Sequence, residues 1–330
     1  MKQERPNIFN YASSELSQDA MFCWLIKWSD KKYQDEDEEL HNIGQSFVKL
    51  LISNQDCIID KINVIKQKQN IDIVVEINNN IALVIEDKTE TSVHHNQLEK
   101  YRQEIKDTYK GKGFELRYAY VKTGNEPLST LEDVKTKGYN IILRKEILKC
   151  IDKYNGDCQL LLDYIEHLRI IEAKTNQFSL IPFNEWKNEW YSWQGFYMEL
   201  EKSLTKPNWK YIPNQSGGFL GLYWYKHHIN QSVYNDKMYL LFEESKLCFK
   251  VSCDDTSRQS DVRNIQSKKI LNLAKDKGYS EIIKPNFGKG KDMTIAIVKS
   301  DILFGNGIIN INDILNKLKK YESLVDDCCI

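Results

Sequence analysis

No run of apolar residues in this 330-residue chain approaches the 18 or more that a membrane-spanning helix needs. The opening MKQERPNIFNYASSELSQ also lacks the apolar stretch of a secretory signal. Both absences point to a cytoplasmic protein with no membrane partner. Net charge is missing too: 46 basic residues against 47 acidic ones leave a formal charge of -1. A globally basic protein is thereby excluded, and any contact with nucleic acid must come from a local patch. The eight cysteines form no CxxC pair and no dense framework, so they read as reduced thiols rather than zinc ligands or disulfides. His94/His95 and His227/His228 are adjacent pairs, and neighbouring side chains do not share a helix face, which weakens a zinc reading further. There is no fixed-period repeat. KPNFGKGKDM (284–293) is rich in Gly and Lys but lacks the GxxxxGK[ST] spacing and the following helix of a P-loop. It reads as a solvated loop, with contact to a nucleic-acid backbone as the functional alternative.

What is present is an ordinary globular composition, 41% hydrophobic and 28% charged, in a chain long enough for two domains. After a polar leader, SSELSQDAMFCWLIKWSD has helical spacing with Ser13 or Ser14 as cap, and a second helix is expected over 42–53. The acidic run YQDEDEEL between them reads as a solvated loop or a helix start. CIIDKINVIKQ, NIDIVVEI and NIALVIEDK are three Ile/Val-rich strands, the last two joined by an Asn-rich turn at Asn78 to Asn80. VHHNQLEKYRQEIKDTY follows as a helix, then a strand (FELRYAYVKT), a short helix, a strand (YNIILRKEI) and helical patterns over 146–153 and 158–174. Near residue 178 the pattern changes to a helix over 184–204, four strands, a helix, a strand and a last helix from Asn312. This is an α+β arrangement with an antiparallel sheet. The domains are therefore set at 1–177 and 178–330. Trp186, Trp190, Trp193 and Tyr197 fall at helical spacing, so packing is a better account of them than base stacking.

The chemistry gathers where the apolar strand IALVI ends in Glu86, Asp87 and Lys88. Side chains alternate across a sheet, which sends Glu86 and Lys88 to one face and Asp87 to the other. Folding the hairpin about Asn78 to Asn80 brings Asp72 back beside Glu86. Two carboxylates meeting at the end of a buried hairpin repel unless a cation sits between them. Mg2+, which prefers oxygen ligands and pairs one or two carboxylates with substrate phosphate oxygens, suits that place. A neighbouring lysine can orient water and stabilise charge developing on phosphorus. That is the equipment for metal-assisted phosphodiester hydrolysis.

Asp72 followed by Glu86-Asp87-Lys88 resembles the PD-(D/E)XK nuclease superfamily, with Ile71 in the place of the motif's proline. Gln97 and Tyr101, in QLEKY, resemble the QxxxY motif of its RecB-like branch, and their i,i+4 spacing puts them on one helix face. Glu15, in the first helix, resembles the acidic residue that many members contribute from the helix before the sheet. The resemblance covers roughly residues 10 to 150. It implies a restriction-endonuclease-like α/β fold, a mixed central sheet flanked by helices, here followed by a smaller α+β domain for substrate or partner recognition. It further implies Mg2+, replaceable by Mn2+, held by Glu15, Asp72, Glu86 and the main-chain carbonyl of Asp87. Lys88, Gln97 and Tyr101 would complete the catalytic set, acting most readily on DNA. No helicase or ATPase motif is present, so a processive role would need a partner subunit. Each residue also has a structural reading. Glu86 and Lys88 could form an exposed ion pair, Asp72 could face solvent at a strand edge, and Glu15 suits the first turn of any helix. Gln97 could lie on the surface and Tyr101 in the core. His94 and His95 read as helix-start residues, with a phosphate contact as the alternative. A module that keeps the fold but only binds nucleic acid or protein is the competing function.

Overall fold

The computed structural model describes residues 5–12, 14–68, 71–93, 96–214, 217–229 and 234–329. The chain divides into two compact units, Met1–Glu126 with Thr130–Ala173, and Pro127–Ser129 with Lys174–Ile330.

The first unit is built from α1 (Glu15–Trp28), α2 (Glu38–Leu51), β1 (Ile62–Lys68), β2 (Ile71–Ile77), β3 (Ile81–Lys88), α3 (Gln97–Tyr109), β4 (Glu115–Lys122), α4 (Leu128–Thr136), β5 (Asn140–Leu143), α5 (Arg144–Ile151) and α6 (Gln159–Asn176). Its sheet runs in the order β1-β2-β3-β4-β5. The first three strands are antiparallel, while β3, β4 and β5 are parallel. Asn78 and Asn79 adopt positive φ, the conformation that short Asn-rich hairpin turns require. That turn sets the β2–β3 register. The central strand β3 is buried on both faces, which is why it reads as a continuous apolar run. Leu83 and Ile85 pack with Phe22, Leu25 and Phe47 of α1 and α2. Ala82 and Val84 pack with Leu98, Tyr101 and Ile105 of α3. The architecture is the mixed sheet flanked by helices that the resemblance implies.

The second unit contains α7 (Phe183–Trp186), α8 (Trp190–Glu201), β6 (Asn208–Ile212), β7 (Phe219–His228), β8 (Lys237–Glu243), β9 (Lys246–Ser252), α9 (Gln259–Asp276), β10 (Ile282–Ile283), β11 (Asp292–Val298), α10 (Ser300–Phe304) and α11 (Ile311–Cys329). Its six-stranded antiparallel sheet has the order β10-β11-β9-β8-β7-β6. Trp186, Trp193 and Tyr197 are buried in its core, as packing residues should be, but Trp190, expected to pack with them, is exposed at the start of α8.

Four local expectations need correction. α2 starts at Glu38 rather than at 42, because the Asp37 side chain accepts a hydrogen bond from the Leu40 N–H (2.9 Å) and the acidic run supplies the first turn. α3 starts at Gln97, after Asn96 in the left-handed region, and His94 and His95 lie outside the described residues, as does Ser13. α5 begins at Arg144, directly after β5. The single helix expected over 184–204 is two, interrupted where the Glu189 side chain caps the N–H of Tyr191. All eight cysteines are free. Among the described residues no helix is long and apolar enough to cross a membrane.

Candidate active site

The β2–β3 register ends at Ile73 opposite Ile85, so the next positions out, Asp72 and Glu86, face each other on the side of the sheet that carries α3. Lys88 is two residues further along the same face. Its ammonium lies 2.6 Å from Glu86 Oε1, 3.7 Å from Asp72 Oδ2 and 3.7 Å from Glu15 Oε2. It also donates to the carbonyl of Asp87 at 3.0 Å. Glu86 is 0% exposed and Lys88 5%, so the pair is not the surface salt bridge of the structural reading. Asp72 does not simply face solvent either, since its Oδ2 accepts the Asp87 N–H at 3.1 Å. Glu15, the first residue of α1, accepts from the Thr91 hydroxyl as well as facing Lys88.

Gln97 and Tyr101 arrive from the first turns of α3. Gln97 Nε2 donates to Glu86 Oε1 (2.7 Å) and to the Tyr101 hydroxyl (2.9 Å). Tyr101 belongs both to the core beneath α3 and to the site. Burial raises its phenol above the usual range. The six side chains implied by the resemblance are thus brought together, Glu15, Asp72, Glu86 and Lys88 directly and Gln97 and Tyr101 through Glu86.

Asp87 divides its groups between the two faces. Its carbonyl meets Lys88, while its carboxylate lies on the α1 side and accepts from Gln18 Nε2 at 2.6 Å. Gln18 in turn accepts from the Thr123 hydroxyl (2.7 Å) and the Tyr164 hydroxyl (3.2 Å). Burial pushes the Asp87 carboxyl well above the usual range; Gln18 opposes this and the charges of Asp19 and Asp72 add to it. Among the described residues its Oδ2 has no hydrogen-bond partner.

Sequence reasoning missed several of these neighbours. Asp19 is 2% exposed, and burial, helped by Asp72, lifts its carboxyl to about 6. A signal for it existed, since Glu15 and Asp19 are four residues apart on one helix. Lys122 and Glu126 gave none. In the parallel register Lys122 lies beside Lys88, and its ammonium is 2.9 Å from Glu126 Oε2 and 2.6 Å from the Thr91 carbonyl. The Ser92 hydroxyl donates to Glu126 Oε1 at 2.7 Å. The Gly124 N–H donates to the Thr89 carbonyl, and a Cβ at Gly124 would come within 2.2 Å of that oxygen. Residues 89–92, which carry Thr91 to Glu15, are therefore pinned by buried groups.

Three carboxylates around one ammonium leave an excess of negative charge. Burial first, then Asp72, lifts the Glu86 carboxyl to about 7 in spite of Lys88. The Lys88 ammonium is held protonated: burial opposes this, and Glu86, Asp72 and Glu15 outweigh it. Among the described residues no three His, Cys, Asp or Glu side chains stand ready to hold a metal ion; here the ammonium sits where the carboxylates converge. Even so the donor set suits a hard divalent cation. All the groups are oxygens, and Glu86 Oε2 is a buried acceptor with no hydrogen-bond partner among the described residues.

A family model described as the PD-(D/E)XK nuclease superfamily matches residues 6–181. No curated protein and no solved structure gives a match.

Proposed function

The chain belongs to the PD-(D/E)XK nuclease superfamily, and on that premise we propose that it is a Mg2+-dependent nuclease that hydrolyses DNA phosphodiester bonds. The observation that carries the reading is the convergence of Glu15, Asp72 and Glu86, from three separate elements, on Lys88. Glu15, Asp72, Glu86 and the Asp87 carbonyl would hold Mg2+, with Mn2+ able to replace it. The metal, when bound, supplies charge neutralisation at the scissile phosphate and lowers the pKa of water. Lys88, already fixed on the Glu86 side of the strand, positions the attacking water and stabilises charge that develops on the phosphate oxygens. Gln97 holds Glu86 in one orientation and places the Tyr101 hydroxyl beside it, within reach of a phosphate. Residues 1–177 form the catalytic domain in this reading and 178–330 an accessory domain for substrate or partner recognition. The setting is cytoplasmic genome defence or repair, with a partner subunit for any processive role.

The test is incubation of the purified chain with linear, nicked, supercoiled and single-stranded DNA and with RNA, in Mg2+, Mn2+ or EDTA. Cutting of DNA that needs the metal and disappears in Asp72→Ala and Lys88→Ala is expected. Full-rate cutting by either variant would remove the site assignment, and failure of the wild type to cut any substrate would favour a non-cleaving binding module.

A further inference from the structure

The helices of the second unit, α8, α9 and α11, share a core with one face of its sheet, through Leu222, Leu240, Phe249 and Ile295. The opposite face is read from the strand register. Tyr239, Leu241 and Cys248 cluster there, and the residues paired with them or two positions along share that side. Lys237 and Lys250 flank Tyr239, Lys246 pairs with Glu243, and Lys210 pairs with Gly221, which pairs with Glu243. A fifth lysine reaches this face because β7 is irregular. Tyr225 is in the left-handed region (φ 56°) and the register shifts between Trp224 and His227. Without that bulge Lys226 would continue the alternation of Leu222 and Trp224 into the core. With it, the Lys226 ammonium lies over the outer Tyr239 ring, 5.3 Å from its centre. A non-glycine residue in that conformation is strained, so the rest of the sheet must hold it there.

Among the described strand residues of this face, five lysines stand against two carboxylates, Glu243 and Asp292. Glu243 is already bound to Lys246 (3.0 Å) and Lys250 (2.7 Å), and Asp292 accepts from the Tyr239 hydroxyl. Among the described residues no carboxylate forms an ion pair with Lys210, Lys226 or Lys237, and Lys210 and Lys226 are exposed. The Gly/Lys loop 284–291 enters β11 at Asp292, the same end of the face as Lys237.

We propose that this sheet face binds the phosphate backbone of nucleic acid, which rests on the nuclease reading above and extends it to the second unit. The charge excess suits a polyanion. The charge excess points to phosphates rather than bases: Tyr239 is 8% exposed, with its hydroxyl engaged and an ammonium over its ring, and the other aromatics of the face, Phe219 and Tyr223, are packed against the same cluster and half-buried. Contact is with phosphates and indifferent to sequence. Lys210 on β6 is level with Glu243, so Lys237 lies two strand spacings across and six residues along β8 from it, roughly 20 Å away, and a duplex carries a charge roughly every 1.7 Å of its axis, so both can be neutralising at once.

The experiment uses the full chain in EDTA, where cutting is suppressed, and fluorescein-labelled duplex and single-stranded oligonucleotides of two base compositions. Binding is measured against salt for wild type, for Lys210→Ala/Lys226→Ala/Lys237→Ala, and for Lys319→Ala/Lys320→Ala on α11 as the control. The triple variant is expected to bind at least tenfold more weakly, with the slope of log K against log salt shallower by about 2 to 3 on both compositions. Its Mn2+ affinity and thermal unfolding should be unchanged. Equal affinity and slope in wild type and triple variant, while the wild type still cuts DNA, would overturn this surface and leave the nuclease reading standing. A loss equally large in the α11 control, or confined to one base composition, would also overturn it. A wild type that neither binds nor cuts nucleic acid would sink both.

Discussion

Lys88→Met tests whether one cation holds the candidate site together. Methionine keeps most of the stem's volume and removes the ammonium shared by Glu86, Asp72 and Glu15. Deleting one partner of a buried ion pair costs about 3–5 kcal/mol. Here the lower end applies, because the Asp72 and Glu15 side chains are 26% and 32% exposed and keep part of their hydration. Glu86, at 0%, is the group that cannot. It escapes by taking up a proton, and its carboxyl already titrates at about 7 with Lys88 present. The sign follows from linkage. A carboxyl whose folded pKa lies above its unfolded value of 4.5 binds more protons when folded, so stability falls as pH rises from that value through the folded pKa. Removing Lys88 moves the upper limit higher still. The loss is therefore expected to be about 3 kcal/mol at pH 8 and about 1 kcal/mol or less at pH 5. Amide hydrogen exchange of residues 83–88 in EDTA reads it locally, avoiding a global unfolding free energy for a chain of two units. Adding Mg2+ to a hundredfold excess over its dissociation constant should return about 2.7 kcal/mol. Wild-type protection of the variant at pH 8 in EDTA, or an equal loss at both pH values, would refute the argument.

Gln97→Ala frees Glu86 Oε1 from its amide donor and should lower DNA cleavage by about ten- to a hundredfold, with weaker Mn2+ binding by calorimetry, as loss of a group that orients a ligand does; unchanged values in both would exclude a role for the QxxxY pair. Asp87→Asn keeps an acceptor for Gln18 and removes a carboxyl that burial holds well above its ordinary range. Thermal unfolding should occur at higher temperature than wild type at pH 8, with the gain shrinking toward pH 4; a gain independent of pH would mean that ionisation is not the cause. Glu126→Ala strands the fully buried Lys122 ammonium and should cost about 3 kcal/mol and loosen exchange at residues 89–92. The double variant Lys122→Met/Glu126→Leu should recover most of that stability; a double variant as unstable as the single one would show that the damage is not an uncompensated charge.

The parts of the site that are legible in the sequence are those fixed by local geometry. A hairpin turning at Asn78 to Asn80 must put Asp72 opposite Glu86, strand alternation must send Lys88 with Glu86 and the Asp87 side chain away, and i,i+4 spacing must align Gln97 with Tyr101. These follow from covalent periodicity and hold for any chain with these elements. Local competition accounts for two misplaced boundaries: capping by Asp37 and by Glu189 overrode the apolar periodicity that marked the helices at 42–53 and 184–204. The remaining features depend on groups far apart in the chain. Gln18 meets Asp87 across 69 residues and Thr91 meets Glu15 across 76, contacts that exist only because α1 packs on the sheet. The burial that raises Glu86, the Lys122–Glu126 pair and the bulge that turns Lys226 outward are equally tertiary. Sequence by itself determined which residues could act together; packing decided which of them lost water, and loss of water is what gives their charges strength.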